Sequence, residues 1–441
     1  MLLQEHLRIT TEDTFSDAWT AIDKHLPAEW LEQALAETGI ATLRKRRLPM
    51  QQVIWLILGI ALMRNHSIAD VAARLDIALP GKRHVVAPSA LSQARQRLGA
   101  EPLQWLFQAT AKAWQQHQSD KRRWRGLALY ALDGVVWRTP DTPTNREQFG
   151  GPTNQHRTAV YPEVRMACLL DIRSRLLVDA RFDRYVTSEY ALAQSQWASV
   201  PDQSVVIIDK GFYSAALLLS LQQGEQRHWL IPARANARSE VVEHYGDGDV
   251  RLKMRVSPQA RKAEPTLPSH WEVRAITRSL PDGSQKTVFT SLDDPEQWPA
   301  EEVFNLYRER WEIELAYGEL KTEQLQRAAV LRSQHPDGIA QELWAMLLIY
   351  NLIRYEMVQI AQEAGVEPNR ISFIAALRLI ENEWLWCAAA APGSISVKLR
   401  KMREELTHYI LPERRRRQYP RVVKTPASKF MRKKNAVQSL N

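Results

Sequence analysis

Two short apolar runs, each followed directly by an aspartate, constrain the fold of this chain most. Residues 127–132 precede Asp133, and residues 205–208 precede Asp209. Such runs are typical of strands buried on both faces, as in the parallel part of an α/β sheet. Because ligands of open α/β sheets bind at the carboxyl ends of the strands, both aspartates are candidate site residues. The alternative for each is an ordinary turn or cap residue.

The rest of the pattern divides the chain into four regions. Residues 1–120 have the apolar spacing of helices. Strands and helices alternate from 127 to 224, and a hairpin is predicted at 164–182. Short strand candidates between Gly, Pro and Asp turns predict a β-rich insertion at 225–300. Helical spacing returns at 301 and persists to about residue 383.

A helix predicted at 88–98 is a candidate for reading DNA bases. It follows a helix predicted at 67–75, and its polar face carries Ser92, Gln93 and Arg95. A recognition helix has this character, but the connection here is about 12 residues, against the usual 3–4. A plain surface helix is the equal alternative. Basic residues that precede both helices are further candidates for DNA contact: Arg44, Lys45, Arg46, Arg47.

Four residues in the region after 301 share one face of a predicted helix. Tyr307, Arg310, Glu314 and Lys321 are spaced by three, four and seven, which at about 100° per residue forms a single stripe. An exposed face of ion pairs, or a rim of long side chains whose charged ends reach water, would have the same spacing.

Taken together, the two aspartates and Glu314 predict a metal-dependent phosphoryl transfer. Three carboxylates that converge from different elements are the oxygen ligands that Mg²⁺ prefers. Two such ions activate a nucleophile and stabilise the leaving oxygen of an in-line displacement. Arg310 and Lys321 would supply positive charge for a phosphodiester.

The net charge of +9 is concentrated near the C-terminus. Residues 413–434 contain ten Lys or Arg and one acid, so they carry the whole excess. A run of four adjacent cations is costly without an anion, which predicts that this tail lies along DNA phosphates. A solvated, disordered tail is the alternative. The run consists of Arg414, Arg415, Arg416 and Arg417.

Several classes of protein are not supported. Two cysteines exclude a disulfide framework or a cysteine-rich zinc module. The longest apolar run, 53–63, predicts a buried core helix, because its eleven residues fall short of the roughly 20 in a membrane helix. The N-terminus predicts no secretory signal. Motifs of nucleotide triphosphatases, zinc proteases and serine hydrolases are not found.

The pattern Tyr-x2-Arg-x3-Glu-x6-Lys at 307–321 resembles the YREK signature of DDE transposases of the insertion-sequence-4 group. The segments 132–140 and 209–214 resemble that family's first and second aspartate motifs. The similarity runs from about residue 35 to residue 434. One difference is Val135, since many members have Thr two residues after the first aspartate.

This resemblance implies an α/β fold. An RNase H-like catalytic core is interrupted by the β-rich insertion and flanked by helical N-terminal and C-terminal regions. The expected divisions are a helical DNA-binding region (1–120), the first part of the core (121–224), the insertion (225–300), the helical end of the core with the catalytic Glu (301–385), and a basic region for DNA contact or dimerisation (386–441).

The implied activity is cut-and-paste transposition, with endonuclease and strand-transfer steps and a hairpin intermediate. By this resemblance Asp133, Asp209 and Glu314 bind two Mg²⁺ ions, for which Mn²⁺ substitutes. Tyr307, Arg310 and Lys321 would contact phosphates near the cut. An aromatic residue of the insertion would stack a flipped base. The candidates for that role are Trp229, Trp271 and Phe289.

The expected partners are the terminal repeats of the element, target DNA and a second copy of the chain in a paired-end complex. No membrane partner is expected, and the expected location is the bacterial cytoplasm, associated with the nucleoid. Two alternatives have different consequences. A catalytically silent relative would bind DNA as a repressor, although all three carboxylates are intact, and a stand-alone nuclease would cut without joining.

Overall fold

The computed structural model describes eleven segments of the chain: 26–40, 48–75, 86–118, 122–154, 157–158, 160–234, 239–280, 283–326, 328, 330–387 and 395–412. Two sets of predicted DNA contacts, residues 44–47 and 414–417, lie outside these segments. The predictions for them are therefore not addressed by the structure.

The described part of the N-terminal region contains five helices: α1 Ala28–Glu37, α2 Met50–Leu62, α3 Ile68–Arg74, α4 Pro88–Leu98 and α5 Glu101–Gln118. The apolar run 53–63 lies mostly in α2, which is buried along almost its whole length. Helix α3 begins after Ser67, whose hydroxyl accepts from the Asp70 N–H while the Asp70 carboxylate accepts from the Ser67 N–H. This reciprocal cap specifies the start of a helix of only seven residues.

Nine strands form the main sheet: β1 Ala128–Arg138, β2 Glu163–Asp171, β3 Leu177–Arg184, β4 Ser204–Ile208, β5 Arg227–Pro232, β6 Ser239–Gly246, β7 Asp249–Arg255, β8 His270–Ser279 and β9 Gln285–Thr290. A two-stranded ribbon, Thr153–Asn154 with Arg157–Thr158, lies apart from it.

The strand order is β3-β2-β1-β4-β5-β9-β8-β7-β6. Strands β1, β4 and β5 are parallel neighbours, while β2 and β3 pair antiparallel on the other side of β1. This arrangement is that of an RNase H-like core. The predicted fold class is therefore confirmed, including the hairpin formed by β2 and β3.

The β-rich insertion continues the same sheet. Strand β9 pairs antiparallel with β5, and β8, β7 and β6 extend the sheet outward from it. The predicted boundary at residue 225 thus separates β4 from β5, two hydrogen-bonded neighbours. The physical reason is that sheet continuity depends on pairing between distant residues, which local patterning does not report.

The prediction that the first apolar strand ends at Asp133 is wrong. Strand β1 runs five residues further, to Arg138. Its parallel partner β4 pairs only with residues 128–132, whereas the antiparallel partner β2 pairs with residues 130–138. Asp133 is therefore where the parallel pairing stops, inside a strand that the hairpin prolongs.

Nine further α-helices lie in the segments that the structure describes: α6 Pro143–Phe149, α7 Glu189–Gln194, α8 Ala215–Leu221, α9 Pro258–Ala263, α10 Ala300–Leu306, α11 Trp311–Gly318, α12 Pro336–Glu363, α13 Phe373–Cys387 and α14 Ile395–Leu406. Helix α12 is buried through most of its length and packs against α5 and α2. Among the helices of the described segments, none is both long and apolar enough to cross a membrane.

Glu342 of α12 connects the N-terminal helices to the core. Its carboxylate accepts from the Arg64 guanidinium, which lies just after α2, and from the N–H groups of Arg332 and Ser333 at 3.0 Å. Both charged side chains are buried. The N-terminal helices are consequently docked through a buried ion pair as well as apolar packing.

The segment predicted as one helix through the Tyr-Arg-Glu-Lys stripe changes its winding twice. A 3₁₀ turn at Tyr307–Arg310 separates α10 from α11, and a π-helical turn at Glu319–Gln324 follows α11. In a 3₁₀ turn residues i and i+3 eclipse, so Tyr307 and Arg310 share a face even without an α-helical repeat. The expectation of a shared face is met, although that of a uniform helix is wrong.

Candidate active site

Asp133 is held by its own backbone and by the helix that crosses β1. Its Oδ1 accepts from the Gly134 N–H at 2.8 Å, and its carbonyl oxygen accepts from the Tyr317 hydroxyl at 2.8 Å. Tyr317 lies in α11, three residues after Glu314. The tyrosine therefore joins the strand that carries the first aspartate to the helix that carries the glutamate.

Asp209 lies directly after β4, at the neighbouring position of the same sheet edge. Leu132 and Ile208 are register partners in β1 and β4, so the two aspartates follow adjacent pairs. The Asp209 Oδ2 accepts from the Gly211 N–H at 3.3 Å and caps the 3₁₀ turn Lys210–Phe212. Asp209 is thus a cap, as the alternative interpretation had it, and at the same time a carboxylate at the strand end.

Arg310 connects the first aspartate with the glutamate. Its Nη1 lies 3.5 Å from Asp133 Oδ2, and its Nη2 donates to Glu314 Oε1. The guanidinium is largely buried, with 13% of its side chain exposed. The structure therefore brings two of the three predicted carboxylates to one arginine, which lies between them.

The electrostatic environment of Asp133 disfavours the charged form of its carboxyl group, which a cation would stabilise. Burial raises the pKa of Asp133 from 3.8 to about 6. The Gly134 N–H and Arg310 lower this pKa, while the negative charges of Asp209 and Glu314 raise it. All three carboxylates are thus close enough to interact, and a divalent cation would reverse the effect of their repulsion.

The donor set fits a hard divalent cation in chemistry. All three side chains offer carboxylate oxygens, the ligands that Mg²⁺ and Mn²⁺ share. In the described segments, no three His, Cys, Asp or Glu side chains are already gathered around one point as metal ligands. The Arg310 guanidinium separates Asp133 from Glu314, and it would have to withdraw before both bound one ion.

The other two residues of the stripe, Tyr307 and Lys321, have different surroundings. Tyr307 is buried, and its pKa is raised by burial and by Asp209 and Glu314, while Arg310 lowers it. Lys321 Nζ lies 5.1 Å from the ring centroid of Trp137 in β1. Burial and Arg138 lower the pKa of Lys321. Tyr307 and Arg310 therefore lie close to the carboxylates, whereas Lys321 lies further along β1, against Trp137, four residues after Asp133.

Sequence reasoning missed three residues that contact this site. Tyr317 could have been found from its spacing of three after Glu314 on the same helix. Trp137, beneath Lys321, lies in the quoted first-aspartate segment. Lys286 of β9, whose Nζ is 4.5 Å from the Tyr307 ring centroid, has no signal in the sequence, because only the sheet brings it there.

Helix α4 presents part of its predicted DNA-reading face to solvent. Ser92 and Gln93 are exposed. Arg95 instead turns toward the core: its Nη2 lies 3.5 Å from Ser333 Oγ, and burial lowers its pKa. Ser92 and Gln93 therefore remain candidates for DNA contact, whereas Arg95 is largely engaged between the N-terminal helices and the core.

The aromatic residues proposed to stack a flipped base are not available for it. Trp229, Trp271 and Phe289 are 0%, 5% and 4% exposed and belong to one hydrophobic core cluster. Trp229 and Trp271 contact each other at 5.6 Å between ring centroids. These three candidates are wrong, because alternate residues of β5, β8 and β9 face a core that the large rings fill. The broader expectation that an aromatic residue of the insertion stacks a flipped base stays a prediction.

The RNase H-like sheet and its strand-edge carboxylates define a class, the metal-dependent polynucleotidyl transferases. Two family models match the chain: the insertion element 4 transposase N-terminal model at residues 17–108 and the transposase DDE domain model at residues 124–352. The chain belongs to the DDE transposases of the insertion element 4 family. The resemblance seen in the Tyr-Arg-Glu-Lys pattern is thereby confirmed.

Two relatives are from Escherichia coli K12. The transposase InsG for insertion sequence element IS4 is 39% identical over 424 residues, 96% of each chain. The putative transposase InsZ is 42% identical over 224 residues, 50% of this chain and 73% of that one. The chain is therefore a transposase that depends on divalent metal ions.

Among solved structures, the piggyBac transposase synaptic complex with hairpin DNA superimposes over 94% of this chain and 88% of that chain. The identity is 11% and the TM-score 0.44.

Proposed function

We propose that Asp133, Asp209 and Glu314 bind two Mg²⁺ ions and form the catalytic centre for cut-and-paste transposition of an insertion sequence. When bound, such ions activate the attacking oxygen and stabilise the leaving oxygen of a phosphodiester displacement. The observation that carries this proposal is that Arg310 contacts Asp133 and Glu314, while Asp209, at the end of β4, is close enough to interact with the same guanidinium electrostatically. Mn²⁺, which takes the same ligands, is expected to substitute.

Arg310 has two successive roles in this proposal. Without DNA it neutralises Asp133 and Glu314, which would otherwise repel each other in a partly buried site. With metal ions and DNA bound, Asp133 and Glu314 would hold the ions, and the Arg310 guanidinium would be free to contact a phosphate oxygen. A guanidinium suits both partners, since its fork matches carboxylate and phosphate alike.

Tyr307 and Lys321 are proposed to contact phosphates on either side of Arg310. Each packs against another side chain, Tyr307 against Lys286 and Lys321 against Trp137, which limits its freedom. Ser92 and Gln93 of α4 are proposed to contact the terminal repeat, with a smaller role for Arg95. The basic residues at 44–47 and 414–417 are proposed to bind DNA phosphates through their charge.

The reaction begins with attack of water on a phosphorus at the element end, which leaves a 3′-hydroxyl and a 5′-phosphate. The freed 3′-hydroxyl then attacks the opposite strand and forms a hairpin, a second water reopens it, and the same hydroxyl finally joins target DNA. The two attacks by water hydrolyse a phosphodiester bond, and the two attacks by the 3′-hydroxyl replace one phosphodiester bond by another. One set of carboxylates can therefore serve all four.

A homodimer is proposed to hold the two element ends and the target DNA in a paired-end complex. The DNA substrate implies that the protein acts in the bacterial cytoplasm in association with the nucleoid. Sedimentation with and without end-containing DNA measures the stoichiometry directly.

The test uses purified full-length protein and linear DNA that carries the element's own end. Wild type, Asp133→Asn, Asp209→Asn and Glu314→Gln are compared, with Glu296→Gln, an exposed carboxylate of the insertion, as the matched control. We expect nicking and strand joining by wild type and by the control only. All five proteins should bind the DNA, because the carboxylates contribute no attraction to phosphates.

Metal binding gives a readout that does not depend on activity. Titration with Mn²⁺, followed by electron paramagnetic resonance, should show two bound ions for wild type with DNA and fewer for each carboxylate variant. Undiminished Mn²⁺ binding by Asp133→Asn would remove Asp133 from the ligands. Specific DNA binding by wild type without any cleavage would favour the silent repressor, and cleavage without joining would favour a nuclease.

A further inference from the structure

Strand β9 of the insertion begins at the edge of the sheet that carries Asp209. It runs antiparallel to β5, with Val288 opposite Pro232, and the Ala233 N–H donates to the Thr287 carbonyl at 2.9 Å. Strand β5 is parallel to β4. The first residues of β9 therefore lie where β4 and β5 end, beside the candidate active site.

Lys286 is the second residue of β9, and it lies against the active-site stripe. Its Nζ is 4.5 Å from the ring centroid of Tyr307, and the side chain is half-buried. Within the segments that the structure describes, no acidic side chain forms an ion pair with it. Burial lowers the pKa of Lys286, and so do the neighbouring charges of Arg310 and Arg308.

Lys286, Arg310 and Arg308 differ in the groups that offset their positive charge. The charge of Arg310 is met by Asp133 and Glu314, and Arg308 is exposed to water. Among the described residues, Lys286 faces only the ring of Tyr307, which offsets a positive charge less than a carboxylate does. Holding a partly desolvated ammonium next to two guanidinium groups is unfavourable, unless an anion enters the space between them.

We propose that Lys286 binds a backbone phosphate of the DNA strand that enters the active site, so that the β insertion itself supplies a phosphate contact next to Tyr307. This proposal rests on the proposed function, in which that strand passes the carboxylates. The ammonium is a point charge with three donors, and it suits the non-bridging oxygens of a phosphodiester. The Tyr307 ring limits where the ammonium can be.

The experiment compares Lys286→Gln and Lys286→Arg in the full-length protein, with Lys253→Gln as the control. Lys253 is an exposed lysine of β7, in the same insertion. All variants also carry Glu314→Gln, so that the DNA stays uncut while its affinity is measured. Affinity for an end-containing duplex is determined over a range of KCl concentrations.

We expect Lys286→Gln to lower the affinity several-fold and to reduce the slope of log K against log salt by about 0.9, the value for one lost phosphate contact. Lys286→Arg should keep most of the slope, and Lys253→Gln should leave it unchanged. Single methylphosphonate substitutions along the strand then locate the contact. A methylphosphonate at one position should weaken DNA binding by the protein that contains Lys286, but not DNA binding by Lys286→Gln.

A purely structural role for Lys286 would give a different result. It would lower thermal stability, leave the salt slope unchanged and produce the same methylphosphonate profile in both proteins, which would overturn the proposal. The proposed function fails by a separate observation, namely cleavage by Glu314→Gln with Lys286 intact. The two failures are therefore distinguishable, because one is seen in binding and the other in cutting.

Discussion

Replacing Arg175 by methionine should destabilise the catalytic core more than any exposed ion pair would suggest. Arg175 lies in the turn between β2 and β3 and reaches α11 and the π-helical turn behind Glu314. Its Nε lies 2.6 Å from Glu312 Oε2, and its Nη1 lies 2.7 Å from Glu319 Oε1. The arginine side chain is 5% exposed. It therefore holds the catalytic helix on both sides of Glu314.

The magnitude follows from burial. Removing one partner of a buried ion pair leaves the other charge desolvated, which costs about 3–5 kcal/mol. Glu319 keeps a second cation, Arg354, and a hydrogen bond from the Tyr350 hydroxyl at 3.1 Å. Glu312, with a side chain 9% exposed, loses the Arg175 guanidinium. We therefore expect about 3 kcal/mol, the lower end of that range.

The chain contains a matched control in the same turn. Arg173 Nη1 lies 2.8 Å from Glu309 Oε2, but the two side chains are 33% and 30% exposed. Arg173→Met should cost at most about 1 kcal/mol, as for other solvated pairs. Both variants remove one arginine from the same loop and one contact to the same helical segment, so that burial is the main difference between them.

The assay is urea unfolding, followed by tryptophan fluorescence and by nicking of end-containing DNA. Arg175→Met should lower the midpoint several times more than Arg173→Met does, and nicking should be lost at a lower urea concentration. The double variant Arg175→Met with Glu312→Gln should regain part of the loss, because the buried charge is gone. Equal midpoints for the two single variants would refute the reasoning from burial.

Two other outcomes are expected from the same structure. In metal-free protein, the pKa of Asp133 is raised from 3.8 to about 6. The folded state therefore binds a proton on this carboxyl group more tightly than the unfolded state does. The resulting stability is complete below about pH 4 and is lost as the pH rises through 6, by up to about 3 kcal/mol. Asp133→Asn should therefore be more stable than wild type at pH 7.5 in chelator and equally stable near pH 4. Thermal unfolding across that pH range measures this. A difference in stability that stays constant with pH would contradict the prediction. Removing residues 413–441 should weaken DNA binding and reduce the slope of log K against log salt by about 0.9 per lost phosphate contact. An unchanged slope in a KCl titration would show that the tail does not bind phosphates.

Local patterning in the sequence determined the elements of this protein and their order. The buried strands before Asp133 and Asp209, the reciprocal cap at Ser67 and the spacing of the Tyr-Arg-Glu-Lys stripe all depend on residues close together in the chain. Short-range periodicity and side-chain chemistry are sufficient for such features. The family resemblance then followed from the same residues.

The tertiary structure alone decided what those elements do to one another. Strand β1 continues past Asp133 because β2, some 30 residues later, pairs with it, and the insertion joins the core sheet because β9 pairs with β5. The same pairing buries Trp229 and brings Lys286 to Tyr307. The placement of Arg310 between Asp133 and Glu314 also requires a strand and a helix about 180 residues apart in sequence to meet. Such contacts depend on which distant segments pack together, and no local pattern of residues encodes that choice.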